Sequence, residues 1–127
     1  MVRILDLEKY AKENNIPIMQ KDGIDFMCEY IKKNNIKNIL EVGAAIGYSA
    51  IRMASISNDI KVTTIERDEK RYKEAVKNIE SFNLEQQINI IFNDAFDVEL
   101  NEQYDLIFID AAKGQYRKFF EKFQKNY

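Results

Sequence analysis

Apolar residues follow two rhythms along this chain, one at helical spacing and one in short unbroken runs, and their alternation lays out the elements. Ile4, Leu7 and Ala11 fall on one face of a helix, and Asn14-Asn15 ahead of Ile16-Pro17 ends it. Ile24, Met27, Cys28 and Ile31 repeat the pattern in a second helix, closed by Asn34-Asn35. The rhythm then changes. Asn38-Ile39-Leu40-Glu41-Val42 is an apolar run ending at Gly43, which suits a buried parallel strand. Tyr48 to Ser55 reads as a helix, and Lys61-Val62-Thr63-Thr64-Ile65 as a strand that is β-branched at four of its five positions. Tyr72, Ala75, Val76, Ile79 and Phe82 form the apolar stripe of an amphipathic helix. Ile88 to Phe92 is a third strand, Tyr104 to Ile109 a fourth that is apolar on both faces, and Tyr116, Phe119, Phe120, Phe123 and Tyr127 mark a last helix.

Strands alternating with helices over short connections predict an α/β fold on a parallel sheet with right-handed crossovers. The length of 127 residues fits one domain, and no repeat or Pro/Gly/Ser-rich linker divides it, so residues 1–127 are expected to form a single domain.

Composition narrows the chemistry. Histidine is absent, which excludes Ser-His-Asp and Cys-His nucleophilic machinery and any His-ligated metal. Cys28 is the single cysteine, which excludes an internal disulfide framework and thiolate zinc sites. The net charge of −2 lacks the basic excess of a non-specific polyanion binder. No apolar run approaches the roughly 20 residues needed to span a bilayer. The start, Met1-Val2-Arg3-Ile4-Leu5-Asp6, carries charges where a signal peptide has its apolar stretch, so a cytoplasmic protein is expected. Catalysis must then rest on carboxylates, Lys, Tyr, Ser, backbone dipoles or a bound cofactor.

Ligands of open α/β sheets bind beyond the carboxyl ends of the strands, so those ends hold the candidates. The first carries Glu41-Val42-Gly43-Ala44-Ala45-Ile46-Gly47-Tyr48-Ser49, with two of the chain's four glycines. Glycines at a strand-to-helix turn let a ligand approach the backbone, although a plain tight turn has the same signature. The second ends at Glu66, 23 residues after Gly43 and close to the roughly 20 expected of an acid that bonds ribose hydroxyls. Pairing with Arg67 or Lys70 is the plainer reading of Glu66. Together the two features suggest an adenosine-containing cofactor. The third ends at Asn93-Asp94-Ala95, where a carboxylate suits an adenine amino group but also a turn or helix cap. The fourth ends at Asp110, with Lys113 three residues on. That pair can hold a hard cation and handle a proton, or simply start a helix. The terminal aromatic stripe and Cys28 read as core. The Arg67 to Lys77 run, interleaved with Glu66, Glu69, Glu74 and Glu80, reads as a solvated, salt-bridged face.

At these four strand ends the chain resembles the class I S-adenosylmethionine-dependent methyltransferases. More narrowly it is similar to the cation-dependent O-methyltransferases that include the catechol and caffeoyl-CoA enzymes. The likeness rests on Ile39 to Ser49, Thr63-Thr64-Ile65-Glu66-Arg67 and Asp105 to Lys113, with Pro17-Ile18-Met19 matching a segment that closes over the cofactor. Within the family it most resembles bacterial members that methylate 5-hydroxyuridine at the tRNA wobble position. Carried over by position, Met19, Glu41, Gly43, Ser49, Glu66, Asp94, Ala95 and Asp110 would contact S-adenosylmethionine. Asp110 would be the metal ligand, typically for Mg²⁺, and Lys113 the candidate base beside it. The implied reaction is in-line methyl transfer to a metal-activated hydroxyl, on a tRNA wobble 5-hydroxyuridine or a small catechol-like molecule. The resemblance also implies a Rossmann-like sheet, a homodimer and no membrane partner.

Family members continue after their fourth strand and its helix into a fifth strand with an Asp-Asn pair that completes the metal site. Both residues of that pair are missing after the last helix, which ends at Tyr127, so a fragment, or one half completed by another chain, with a nearly intact cofactor half is expected, binding cofactor weakly with little activity. Leu106-Ile107-Phe108-Ile109 would then lie on an exposed apolar edge. Two other classes compete. A nicotinamide-dependent oxidoreductase shares the βαβ unit and the ribose acid, but Ala45 stands where its Gly-x-Gly-x-x-Gly motif needs the middle glycine. A non-catalytic cofactor-binding module would keep the fold without the metal ligands.

Overall fold

The short apolar runs become strands of one sheet, and the two at its centre are buried on both faces. In the computed structural model β1 (Asn38–Val42), β2 (Lys61–Glu66), β3 (Ile88–Phe92) and β4 (Leu106–Ile109) pair in parallel, in the order β3-β2-β1-β4. The helices are α1 (Ile4–Glu13), α2 (Lys21–Lys33), α3 (Tyr48–Ala54), α4 (Glu69–Ser81) and α5 (Lys113–Phe123). Residues 3–16, 18, 21–109 and 113–127 are described, apart from the side chains of Lys113, Gly114 and Tyr116.

Alternation along the strands sends side chains to two cores. Ile39, Val62 and Ile88 pack with Leu7, Ile24, Cys28, Ile31, Ile51 and Ile79 of the first four helices. Leu40, Val42 and Ile65 face the other way, onto Phe119 and Phe123 of α5 and onto Ala95, Val98 and Tyr104. Cys28 sits on the apolar stripe of α2, and burial pushes its thiol pKa up. On α4 the charges pair as the pattern predicts, Lys73 with Glu69 and Arg71 with Glu74, both at 3.0 Å.

Four element ends differ from the sequence expectation, the first at α4, where Phe82 of the predicted stripe caps the helix. Residue Ser55 caps α3 instead of extending it. Tyr104 and Asp105 precede β4, because the Tyr104 N–H donates to the Asn126 carbonyl (2.6 Å) and the Asp105 N–H to that of Asn38 (2.7 Å). The Asp105 carboxylate accepts the N–H groups of Lys37 and Asn38, which hold its pKa below the usual range and clamp the start of β4 to β1. The last helix stops at Phe123 and tightens into a 3₁₀ turn, Gln124–Asn126, where the buried Asn126 amide donates to the Leu100 and Glu102 carbonyls. The terminal stripe is therefore only partly core. Phe119 and Phe123, four apart, face the sheet, whereas Phe120, rotated about 100° from Phe119, is 53% exposed and Tyr127 is 72% exposed.

β4 is one edge of the described sheet, as expected, but all four of its residues are half-buried and not exposed. At the other edge Phe92 stacks on Tyr72 of α4, with centroids 5.0 Å apart.

A polar network joins α1, α2 and α3, three of the four helices on one face. The Tyr48 hydroxyl, on a residue only 2% exposed, donates to Glu8 of α1 at 2.5 Å. It accepts from Arg52 at 3.1 Å, and Arg52 also pairs with Asp25 of α2. Burial and then the Glu8 bond push the Tyr48 pKa from 10.0 up to about 12. The unfolded chain gives up this proton near pH 10 and the folded chain only near 12. The contribution is therefore complete below pH 10 and is lost as pH rises toward 12. Urea denaturation from pH 9 to 12 is expected to show a steeper alkaline loss of stability in the native chain than in Tyr48→Phe. Parallel curves would contradict that account.

Candidate functional site

The strand register gathers the candidate residues at one end of the sheet. Val42 is level with Ile65 and Ile109, and Glu66 with Phe92. Beyond Val42 the chain turns through three left-handed residues, Gly43 (φ 100°), Ala45 (φ 49°) and Gly47 (φ 87°). The Gly43 and Ala44 N–H groups both donate to the Ile65 carbonyl, at 2.8 and 3.2 Å, and the Gly47 N–H to that of Ala44. An added Cβ at Gly47 would meet Ala75 at an ordinary 3.5 Å, so its backbone angle and not lack of room selects glycine. The Asn78 amide on α4 donates to the Ile46 carbonyl at 2.9 Å and braces the turn.

Glu66 lies across this turn. One carboxylate oxygen accepts the Ala45 N–H at 2.7 Å, the other that of Asp68 at 3.1 Å. Among the described residues it forms no ion pair with Arg67 or Lys70, so the solvated-pair reading of Glu66 is not what is found. Each oxygen keeps a second lone pair, which leaves the carboxylate able to receive two vicinal hydroxyls.

Glu41 and Ser49 come together but face inward. Glu41 is fully buried on β1 and accepts from the Ser49 hydroxyl and from Thr64 of β2, the latter at 2.7 Å. Glu41 thus pins the start of α3 to the sheet. At the third strand end Asp94 caps a 3₁₀ turn, Ala95–Asp97, accepting the Phe96 N–H with Oδ1 at 2.9 Å. The capping reading of Asp94 therefore holds, and Oδ2 is left for a donor from outside. Ala95 is buried beneath it.

Met19 and Asp110 lie outside the described residues. Lys113 opens α5, and its side chain also lies outside them. Among the described residues no three acidic or cysteine side chains assemble in a way that could hold a metal ion. No described helix is long and apolar enough to cross a membrane.

Several contacts that shape this end of the sheet have no local sequence signal. The hold of Glu66 on Ala45, the pairing of Thr64 with Glu41 and the Asn78 brace all join residues more than 20 apart. Tyr48 and Arg52 do sit at helical i, i+4 spacing, a pattern that suggests contact without naming Glu8 or Asp25 as partners.

Residues 2–125 match the family described as O-methyltransferase. A caffeoyl-CoA O-methyltransferase of Populus kitakamiensis is 30% identical over 93% of this chain and 53% of its own length. A catechol O-methyltransferase of Niastella koreensis is 39% identical over 67% of this chain and 42% of its own. Among solved structures, a Staphylococcus aureus protein provisionally named a caffeoyl-CoA O-methyltransferase superposes with a TM-score of 0.91 at 43% identity, covering 98% of this chain and 61% of that one. An O-methyltransferase of Bacillus cereus, solved in complex with S-adenosylhomocysteine, gives 0.86 at 30% identity, over 97% of this chain and 60% of that one. The chain spans about half the length of the curated relatives it matches. The four-stranded sheet is that of the class I methyltransferases these chains resemble.

Proposed function

The chain belongs to the O-methyltransferase family, and we propose that it is the S-adenosylmethionine-binding part of an enzyme that methylates a hydroxyl. The observation that carries this is Glu66, fixed at the end of β2 against the Gly43–Gly47 turn with a lone pair open on each oxygen. Glu66 receives both ribose hydroxyls there, and the Oδ2 of Asp94 receives the adenine amino group. Gly43 and Ala95 supply backbone and a small surface against the cofactor, and Ser49, held by Glu41, shapes the end toward methionine. Met19 adds a contact from the α1–α2 connection. Bound S-adenosylmethionine supplies an electrophilic methyl group on its sulfonium. Lys113 takes the proton of the acceptor hydroxyl.

In the finer reading Asp110 contributes to the cofactor site and supplies one ligand to Mg²⁺. The described residues do not assemble a divalent-cation site, and no step here depends on one. For the acceptor, a small catechol-like molecule is favoured by the 39% identity to the Niastella enzyme. The wobble 5-hydroxyuridine of tRNA is the second candidate, and the net charge of −2 lends it no support. The family resemblance adds a homodimer as the working assembly, and the sequence reading adds the cytoplasm as its location.

Acceptor assays with labelled S-adenosylmethionine and Mg²⁺ test this reading on the whole gene product, offered catechol and a tRNA bearing 5-hydroxyuridine. Label in catechol is the expected result, and label in the tRNA alone would replace the acceptor class. No transfer from a protein that still binds S-adenosylhomocysteine would leave the non-catalytic cofactor-binding module.

A further inference from the structure

Phe96 is gripped at three points, and two of the grips come from the far end of α5. Its N–H is held by Asp94 Oδ1 at 2.9 Å. Its carbonyl accepts from the Lys122 ammonium at 2.8 Å. Its ring stacks on Phe119, with centroids 4.2 Å apart and planes 18° apart. The Lys122 side chain is 19% exposed; its ammonium also lies 5.6 Å from the Phe123 ring centroid and 3.5 Å from Glu99, whose side chain lies largely in solvent. A buried lysine stem ending on a backbone carbonyl orders that carbonyl more firmly than a rim ion pair does.

We infer that Lys122 is a positioning residue for nucleobase recognition, holding Phe96 so that Asp94 presents its second carboxylate oxygen to the adenine amino group. The chain of contacts is continuous. α5 fixes Phe96 through Lys122 and Phe119, the Phe96 N–H fixes Asp94 Oδ1, and Oδ1 sets the direction of Oδ2. The inference rests on the cofactor reading above and deepens it, because it assigns base selectivity to a residue that touches no ligand. A carboxylate oxygen in that position attracts an exocyclic amino group and repels the carbonyl that replaces it in hypoxanthine. Selectivity between the two bases therefore reports the orientation of Asp94 and not merely the stability of the domain.

The test is titration of this chain with S-adenosylhomocysteine and with S-inosylhomocysteine. The native chain is expected to prefer the adenine ligand by about tenfold or more. Lys122→Met is expected to bring that ratio close to one, whereas Lys122→Arg, which still reaches the carbonyl, restores most of it. Glu99→Gln, which leaves the carbonyl bond in place, is expected to keep the native ratio. Should Lys122→Met not fold by circular dichroism, Phe119→Leu removes the ring stack and is expected to lower the ratio in the same direction. Equal weakening of both ligands by Lys122→Met, or no change in either, would overturn the inference. A native chain that binds S-adenosylhomocysteine without preferring adenine would overturn the Asp94 assignment and this inference with it. A native chain that binds neither ligand would instead remove the cofactor reading itself.

Discussion

Glu66→Ala is expected to weaken S-adenosylhomocysteine binding by about 100-fold while leaving the chain folded. Two ribose hydroxyls donating to a carboxylate contribute roughly 1.5 kcal/mol each at the low end of such bonds, which sums to about two decades in affinity. The same substitution releases the Ala45 and Asp68 N–H groups, so the turn loses its brace as well as the ligand its acceptor. Glu66→Gln is expected to fall between, at about tenfold. Its amide keeps one accepting oxygen but sets an NH₂ group against a backbone N–H. Isothermal titration reads both effects, and circular dichroism checks the fold. Native affinity in Glu66→Ala would mean that the acid braces a turn and nothing more.

The second large effect is on stability. Glu41 is fully buried between β1 and α3, accepting from Ser49 and from Thr64, which is itself fully buried. Glu41→Ala leaves a cavity and strips both hydroxyls of their acceptor. The cavity and the orphaned donors together cost about 3 kcal/mol. Glu41→Gln fills the same volume and lets the hydroxyls reorient, so its loss is expected to be roughly half as large. Urea midpoints of the two variants measure this. A Glu41→Ala midpoint equal to the native one would show that Glu41 does not tie α3 to the sheet.

Most of the fold is legible in the chain because short runs rich in apolar residues stand out between the helical stripes, and β1 and β3 begin and end where those runs do. The exceptions are decided by partners far away in sequence. Tyr104 reads as strand, but the carbonyl of Asn126 claims its N–H. Tyr127 fits the helical stripe by spacing, yet the helix has already tightened around the buried Asn126 amide. Phe120 shares the apolar rhythm of Phe119 and Phe123 but not their direction, and periodicity alone does not separate a wide stripe from a narrow one.

The candidate site shows the same division. Glu66 and Asp94 are recognisable because one ends a strand and the other follows one, and a strand's carboxyl end is where an acid has a use. What each acid holds inside the protein is not recognisable, because Glu66 meets Ala45 and Asp94 depends on Lys122 only through the folded chain. Glu41 looks like a misplaced charge within an apolar strand until Ser49 and Thr64 are seen to satisfy it.

If these strand ends form an adenosyl site, this chain binds S-adenosylhomocysteine on its own. Titration is expected to show saturable one-to-one binding at micromolar strength, weakened about 100-fold in Glu66→Ala. A chain that is folded by circular dichroism and monodisperse in solution, yet takes up no S-adenosylhomocysteine, would contradict it.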